Sequence, residues 1–408
     1  MNYKDETIIR ALKFGRVPAS GTLRLAVGRD LEIAEFKRTL DYVAGGYSEI
    51  RLLRGDYGSG KTFMCSVIRE LAFEKEFAVS VVNLNREIPF GRRELVVSEI
   101  LLGLRQPNSP SAPALSYYLE RWANLFDLSD LSPINKLLHE AIAKISSIDP
   151  SIAGGLRAWL SAYADGNDVL MHAAEAWMRG DSIDQESRRS LKVVGKINAE
   201  SAFRRLRSIN ALLFQAGCMG VAVLIDEAES IMRLNGPQRN AAWTSIREMI
   251  DTCETDFPKT FFIFAGTQPL FEDPYRGISE YPALWDRIRP QQSSSDRDLR
   301  QPIIRLEELD ETSLLQVAQR VRDIHSAAYG WDAKSQVLDV NLVTYIKTAA
   351  SKFGNIKSKP RAFLKGLVDY LDGTQQGIPV DLGSIIESAV KIETEQAPLE
   401  DDLVLAGT

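Results

Sequence analysis

The sequence predicts an α/β protein with a parallel sheet, a helical insertion and a helical C-terminal region. A glycine-rich segment over residues 55–62 lies between a predicted strand and a predicted helix. An apolar strand over residues 220–225 is followed by two acids, Asp226 and Glu227. Further short apolar runs alternate with helical segments, as in the βα units of a parallel sheet. Together these three observations predict the fold class.

The composition limits the class of protein and its partners. With 408 residues, the chain is expected to hold about two to three units. Hydrophobic residues make up 45% and charged residues 25%, which predicts a globular protein. The formal net charge of -6 means that any contact with nucleic acid needs local basic patches. We expect an N-terminal flank, a core with an insertion and a helical lid with an acidic tail, over residues 1–50, 51–310 (insertion about 90–200) and 311–408.

Cysteine, histidine and apolar patterns predict a cytoplasmic protein. Cys65, Cys218 and Cys253 lie far apart, which suits a reducing compartment and predicts neither disulfides nor a zinc site. The three histidines are equally scattered, so no metal site is expected from them. No apolar run approaches the ~20 residues that span a bilayer, and the N-terminus lacks an apolar signal segment. We therefore expect no membrane contact.

The first 50 residues contain two predicted helices. Ile8, Ile9 and Leu12 have helical spacing, and a second helix is expected to begin at Asp30 and to end before two consecutive glycines at 45 and 46. Gly28 and Arg29 come directly before this second helix. Asp30 alone would also account for the local pattern as a helix N-cap.

Residues 55–62 fit the phosphate-loop template G-x-x-x-x-G-K-[ST] at every fixed position. A predicted strand over residues 50–54 precedes them, and helical spacing follows over residues 62–71. Glycines let backbone N–H groups turn toward phosphates, Lys61 reaches the terminal phosphates, and the Thr62 hydroxyl can ligate Mg²⁺. An accidental glycine-rich turn is the alternative. The predicted nucleotide-binding residues are Gly55, Asp56, Tyr57, Gly58, Ser59, Gly60, Lys61, Thr62 and Phe63.

The acidic strand end supplies what a Mg-ATP site still needs. Residues 77–84 predict one buried strand, and residues 220–225 predict another that ends in Asp226 and Glu227. Parallel strands end at the sheet edge where a phosphate loop lies, so Asp226 can hold the Mg²⁺ shell. Glu227 can then polarise the water that attacks the γ-phosphate.

The chain between these strands is too long for one βα repeat. Residues 86–217 give helical segments separated by proline- and glycine-containing turns, with little strand signal. We expect much of residues 90–200 to form a helical insertion, whose role the sequence leaves open.

Three further features follow the acidic strand. A predicted strand over residues 259–266 ends at Thr267, whose hydroxyl suits either a ligand contact or a helix cap. Arg287 and Arg289 carry the forked donors that suit a developing phosphoryl charge, although they also fit a solvated surface pair. A last strand over residues 303–306 precedes a helical region, in which Pro360 suits a first helical turn with Arg361 beside it.

The order of these motifs resembles that of AAA+ ATPases, most closely their origin-recognition-like branch. More narrowly, four stretches look like the BREX phage-defence ATP-binding proteins of the BrxD family. The resemblance covers the core and lid well and the insertion poorly. The stretches are residues 8–12, 54–63, 224–229 and 359–364.

The resemblance implies roles for residues that the local patterns leave open. Thr267, or Gln268 beside it, would be the first sensor of the γ-phosphate, and Arg361 the second. Arg287, with Arg289 as second choice, would complete the site of a neighbouring subunit. Gly28 and Arg29 would lie at the adenine side. The implied ligands are ATP and Mg²⁺, and the implied partners are DNA, other defence-system proteins and further copies of this chain.

Two basic stretches bear on DNA. Such stretches could neutralise phosphates, or they could form solvated helix faces that pair with acids elsewhere. The first contains one acid, Glu200, and the second contains none. Their basic residues are Arg188, Arg189, Lys192, Lys196, Arg204, Arg205 and Arg207, and Lys347, Lys352, Lys357, Lys359, Arg361 and Lys365.

Three functional hypotheses follow from the sequence. The leading one is an ATP-hydrolysing oligomer that acts on DNA in phage defence. The first alternative is a nucleotide-gated scaffold that recruits partners with little turnover, and replacing Glu227 by Gln separates the two. A DEAD-type helicase, suggested by residues 226–229, would need a second ATPase core, whereas the sequence predicts one.

Overall fold

The computed structural model describes residues 3–128, 136–290, 298–353 and 359–396. The chain divides into two compact units. We call the first the loop unit, which consists of Met1–Ile33, Gly55–Glu70 and Leu306–Thr408. We call the second the sheet unit, which consists of Ala34–Arg54 and Leu71–Arg305. The division into flank, core and lid stays a prediction.

The sheet unit contains a seven-stranded sheet with the order β4-β3-β2-β5-β6-β1-β7. The five strands from β2 to β7 in this order are parallel. All residues of β5 and β6 are buried, which explains their uninterrupted apolar sequences. The strands are β1 (Glu49–Arg54), β2 (Phe77–Asn83), β3 (Arg105–Gln106), β4 (Ser109–Pro113), β5 (Gly220–Asp226), β6 (Thr260–Gly266) and β7 (Ile303–Arg305).

The carboxyl ends of the central strands meet at one edge of the sheet. Arg54, the last residue of β1, is in register with Gly266 at the end of β6. Ile225, the residue before Asp226 on β5, is in register with Phe264 of β6. The strand that leads into the phosphate loop and the strand that ends in Asp226 therefore finish on the same side, with β6 between them.

The helices occupy most of the remaining described chain. Up to residue 146 they are α1 (Tyr3–Lys13), α2 (Thr22–Leu25), α3 (Asp30–Ala44), α4 (Lys61–Glu74), α5 (Arg93–Gly103), α6 (Ala114–Ala123) and α7 (Lys136–Ser146). Up to residue 288 they are α8 (Ile152–Ala164), α9 (Asp168–Arg179), α10 (Gln185–Leu191), α11 (Ala202–Gln215), α12 (Gly236–Asp256), α13 (Gln268–Glu272) and α14 (Pro282–Ile288). The rest are α15 (Glu311–Tyr329), α16 (Ala333–Gln336), α17 (Asp339–Phe353), α18 (Pro360–Gln375) and α19 (Leu382–Gln396).

The predicted insertion is helical, as expected, but it also adds two strands. The expectation of little strand in this region is wrong for β3 and β4, which pair antiparallel and extend the sheet beyond β2. β4 was not predicted from the sequence because it contains two prolines, at 110 and 113. Proline cannot donate to a strand ladder, and β4 accommodates it because it is the edge strand.

One hydrophobic core joins the insertion to the sheet. Trp159 of α8 and Trp122 of α6 are fully buried in the same cluster as Val223 of β5. Helix α11 packs against α5, α6 and α7, and so connects the insertion helices to the strand that follows it. The insertion is therefore part of the sheet unit and not an appendage with a separate core.

The loop unit has its own core, formed by its N-terminal and C-terminal helices. Ile8, Ile9 and Leu12 of α1 are buried in one cluster with Val321 of α15 and Leu367 of α18. The helical spacing predicted for the first residues is thus confirmed. Within the described residues, no helix is both long and apolar enough to cross a membrane.

Candidate nucleotide site

The phosphate loop has the backbone that its glycines predict. Gly58 and Gly60 adopt positive φ angles of 81° and 92°, which residues with a Cβ rarely adopt. Helix α4 begins at Lys61, and its first backbone bond runs from Met64 N–H to the Gly60 carbonyl at 2.8 Å. The loop thus leads into a helix N-terminus, whose N–H groups and dipole attract anions.

Lys61 is held over the loop by the loop itself. Its Nζ donates to the Gly55 carbonyl at 2.9 Å and to the Asp56 carbonyl at 3.1 Å. The same ammonium lies 5.5 Å from the centroid of the Tyr57 ring. These contacts fix a positive charge beside the helix N-terminus, where the sequence predicts terminal phosphates.

Thr62 and Phe63 occupy the second and third positions of α4. Thr62 is exposed, whereas the Phe63 side chain packs against the hydrophobic core of the loop unit. The nucleotide contact predicted for Phe63 stays a prediction. Ser59 is buried, and its Oγ has no hydrogen-bond partner among the described residues.

Arg29 contacts the phosphate loop directly. The side chain is buried, and its Nη2 donates to the carbonyl of Ser59 at 3.1 Å. Nη2 also donates to the carbonyl of Glu307 at 2.5 Å, and Nη1 donates to Glu32 at 3.2 Å. Gly28, beside it, adopts a φ of 65°. The adenine-side role of both residues stays a prediction.

Arg361 lies in the loop unit at the first turn of α18. Pro360 is the first residue of that helix, so the predicted helix start is confirmed. Arg361 is exposed and lies beside Gly15, which follows α1. Its role as a second sensor stays a prediction.

The acidic strand end lies in the sheet unit. Asp226 is the last residue of β5 and is buried, and its Oδ1 accepts a hydrogen bond from Glu227 N–H at 2.9 Å. Glu227 is exposed and adopts the left-handed conformation, with φ 56° and ψ 36°. Such a conformation is uncommon for a residue with a side chain and occurs often at functional sites.

Thr267 follows β6 directly and is buried. It stands at the N-cap of α13, yet its hydroxyl makes no capping hydrogen bond. The alternative that this hydroxyl serves as a helix cap is thus not what the geometry shows. Gln268 instead donates from Nε2 to Glu272 at 2.8 Å.

Glu272 links this segment to the strand before the phosphate loop. Its Oε1 lies 2.5 Å from Nη2 of Arg54, the last residue of β1. Gln268, Glu272 and Arg54 therefore form one network across the ends of β6 and β1. Sequence reasoning missed Glu272, since nothing in the local pattern distinguishes it from other surface glutamates.

Arg287 and Arg289 differ in how they are held. Arg287 of α14 forms a bidentate pair with Asp251 of α12, with 2.9 Å between Nη2 and Oδ2, and it also donates to the Ala283 carbonyl. The hydrogen bond that Arg287 donates to Asp251 raises the pKa of Arg287 above its ordinary value. Arg289 makes a looser pair with Asp286 at 3.5 Å. The segment that follows Pro290 lies outside the described residues.

Several basic residues of the two stretches pair with acids. Arg205 is buried and its Nε donates to Asp149 at 2.6 Å, while Arg207 lies 3.1 Å from Asp256. In the second stretch, Lys352 pairs with Glu387, and Lys365 donates to Asp369 at 2.8 Å. The pairing alternative therefore holds for these residues. Lys357 lies outside the described residues, as does the end of the acidic tail from residue 397.

The buried pair of Asp149 and Arg205 stands apart from the surface pairs. Burial raises the pKa of Asp149, but hydrogen bonds from Ser151 and Arg205 and the charge of Arg205 outweigh it, so the pKa lies below its ordinary value. Arg205 also lies 4.6 Å from the centroid of the Trp177 ring. This arginine stabilises the insertion and is not available to bind DNA.

The chain has the α/β architecture that the sequence predicts, with a mostly parallel sheet and a phosphate-loop sequence between a strand and a helix. The chain belongs to the BREX system ATP-binding protein BrxC/D family, whose model matches residues 2–389. The family predicted from the sequence is thus confirmed. The chain is also similar to the solved structure of the Aeropyrum pernix ORC2 protein in ADPNP and ADP complexes. That likeness has 12% sequence identity and a TM-score of 0.43, and it covers 93% of this chain and 71% of that chain. No curated protein matches the sequence.

Proposed function

We propose that this chain hydrolyses ATP with Mg²⁺ as a cytoplasmic component of a phage-defence system. One observation carries the proposal. The strand that leads into the phosphate loop and the strand that ends in Asp226 run parallel and finish at the same sheet edge, with β6 between them. A Mg-ATP site draws its phosphate-binding and metal-binding halves from such neighbouring strand ends.

The residues fit the groups that such a site must hold. The positive φ angles of Gly58 and Gly60 and the fixed ammonium of Lys61 suit the phosphates. Thr62 and Asp226 would supply oxygen donors to Mg²⁺, which would neutralise charge on the phosphates. Glu227 would take the proton of the attacking water, and the buried Thr267 would hydrogen-bond that water or the γ-phosphate.

ATP binding and hydrolysis by purified protein test this proposal directly. We expect Lys61→Ala to abolish ATP binding, measured by calorimetry, because it removes the charge fixed over the loop. We expect Glu227→Gln to keep binding while hydrolysis falls by about two to four orders of magnitude, the usual contribution of a general base. Lys75→Ala is the matched control, since this lysine pairs with Asp41 beyond the end of α4. A wild-type chain that does not bind ATP would contradict the proposal.

The finer part of the proposal concerns assembly and DNA. We propose that copies of this chain oligomerise, that Arg287 completes a neighbouring site, and that the oligomer acts on DNA with other defence proteins. Hydrolysis should rise with protein concentration and with duplex DNA. Rates per chain that stay flat in both series would exclude this form.

The basic residues that make no ion pair with a described acid are the candidates for DNA contact. In the first stretch these include Arg189, Lys192 and Lys196. Replacing Lys192 and Lys196 by Ala should weaken DNA binding and lower the slope of affinity against salt by roughly two. Lys144→Ala and Arg157→Ala, two exposed cations on other insertion helices, form the matched control.

A nucleotide-gated scaffold is the second candidate, and one observation favours it. Large apolar side chains are exposed on the insertion, among them Leu137, Val169 and Val194. Exposed apolar groups on a helical insertion suit a protein partner. If Glu227→Gln abolishes hydrolysis and leaves phage defence intact in cells, the scaffold explains the protein better than the ATPase cycle.

A further inference from the structure

The buried guanidinium of Arg29 joins three parts of the loop unit. Nη2 donates to the Ser59 carbonyl in the phosphate loop and to the Glu307 carbonyl just before α15. Nη1 donates to Glu32 on α3. Only 5% of the Arg29 surface is exposed. Its charge is offset by Glu32, and its Nη2 is directed to two main-chain oxygens of the protein.

The bond to Ser59 fixes one peptide group of the phosphate loop. The Ser59–Gly60 peptide is trans, so its C=O and N–H point in opposite directions. Because the carbonyl points to Arg29, the Gly60 N–H points away from Arg29. If this peptide were reversed, its carbonyl oxygen would replace the N–H on the other side, and an oxygen repels phosphate. The arginine charge also polarises the peptide and strengthens its N–H as a donor.

We propose that Arg29 is a positioning residue for phosphate binding. It holds the Ser59–Gly60 peptide with its N–H available to an anion, and it ties that peptide to Glu307 at the start of the C-terminal helices. This inference rests on the proposed ATP site, and it assigns Arg29 to the phosphates rather than to the base.

A second arginine of the same unit provides a matched control. Arg320 of α15 donates from Nη1 to the Ala26 carbonyl at 2.5 Å and to the Arg24 carbonyl at 3.3 Å. Like Arg29, it donates from one nitrogen to two main-chain oxygens. It differs in that its two carbonyls belong to the N-terminal segment and not to the phosphate loop. Arg320→Met therefore reproduces the loss of such an arginine without freeing the loop peptide.

The test compares a ligand that has a base with one that has none. Binding of Mg-ATP and of Mg-tripolyphosphate is measured by calorimetry for the wild type, Arg29→Met, Arg29→Lys and Arg320→Met. Arg29→Met should weaken both ligands by the same factor, about ten- to a hundredfold, the range for a lost hydrogen bond to a charged group. Arg29→Lys should weaken both by a smaller equal factor, because lysine lacks the fork whose Nη1 reaches Glu32 while Nη2 reaches the two carbonyls. Arg320→Met should change neither ligand by more than about threefold.

Each other outcome decides against the inference in a distinct way. A loss for ATP with tripolyphosphate binding unchanged would mean that Arg29 contacts the base. Unchanged binding of both ligands to Arg29→Met would mean that the loop keeps its conformation without the arginine. Thermal unfolding without ligand identifies a variant that fails to fold. If Arg29→Met does not fold, Arg29→Lys replaces it in the comparison. Losses of affinity for Mg-ATP and for Mg-tripolyphosphate that differ in Arg29→Lys would then overturn the inference. A wild-type chain that binds neither ligand would overturn the proposed ATP site itself.

Discussion

The carboxylate of Glu70 accepts a hydrogen bond from the hydroxyl of Thr22 at 2.6 Å. The same carboxylate accepts from Gly21 N–H at 2.9 Å and from Leu23 N–H at 3.0 Å. Glu70 lies on α4, the helix that starts at the phosphate loop, and the three donors surround the start of α2. One side chain thus fastens the N-terminal segment to the loop helix.

We expect Glu70→Gln to lower the free energy of unfolding by about 1–3 kcal/mol. The amide has one acceptor oxygen where the carboxylate has two, so at least one of these part-buried donors loses its partner. Urea denaturation measures the effect. Glu74→Gln, an exposed change on the same helix, should stay within about 0.5 kcal/mol of the wild type. Equal stability of the two variants would show that the three hydrogen bonds to Glu70 do not stabilise the folded protein.

The left-handed backbone conformation of Glu227 predicts the relative stability of two variants at this position. Glycine adopts a φ of 56° without the Cβ clash, so Glu227→Gly should be more stable than Glu227→Ala by about 1 kcal/mol. Both variants lack the carboxylate, and the comparison isolates the backbone. At Glu254, inside α12, the same pair of changes should have the opposite sign, with Gly about 1 kcal/mol less stable than Ala. The same sign at both positions, measured by chemical denaturation, would contradict the left-handed conformation.

Arg287 offers a test of the shared site. If it acts on a neighbouring subunit, Arg287→Ala should lower hydrolysis by roughly 10³-fold or more while the affinity for ATP is unchanged. Mixing Arg287→Ala with Lys61→Ala should restore part of the activity, because some interfaces then combine an intact loop with an intact arginine. Arg289→Ala, mixed in the same way, is the control. A mixture no more active than its components would place Arg287 outside any shared site.

The buried pair of Asp149 and Arg205 predicts a large cost for breaking it. We expect Asp149→Asn to lower the free energy of unfolding by about 3–5 kcal/mol at pH 7, since it leaves Arg205 buried without a counter-charge. Replacing both residues, as Asp149→Leu with Arg205→Met, should cost less than the single change. A double variant less stable than Asp149→Asn would contradict this account.

The same pair gives a pH dependence whose sign follows from the lowered pKa of Asp149. An aspartate that ionises more readily in the folded state stabilises it above the unfolded pKa of about 3.9. That stabilisation is lost as the pH falls through the lower folded value. The difference in unfolding free energy between wild type and Asp149→Asn should be constant from pH 7 to about pH 5 and shrink below about pH 4. A difference that grows on acidification would refute the assignment.

The strands and the phosphate loop could be predicted because each depends on a sequence pattern that is contained within a few consecutive residues. The apolar runs predicted β5 and β6, and the phosphate-loop template predicted the loop over residues 55–62. The partners of Arg205 and Arg207 could not be predicted in this way. Asp149 and Asp256 lie about fifty residues from them in the chain, and only the packing of α11 brings each pair together. Arg29 was predicted at the site by its position, whereas its bond to Ser59 depends on how the chain turns before α3.

The strand order has a consequence for how the chain acquires its structure. Among the described residues, β1 pairs with β6 and β7 and with none of the strands β2 to β5, which lie between β1 and β6 in the chain. During synthesis, residues 49–54 therefore have no sheet partner until residues 260–266 have left the ribosome. The slow closure of such long loops keeps that strand exposed. We expect nascent chains that end before Thr260 to be cleaved readily near residue 50 by added protease, and chains that extend beyond Arg305 to resist it.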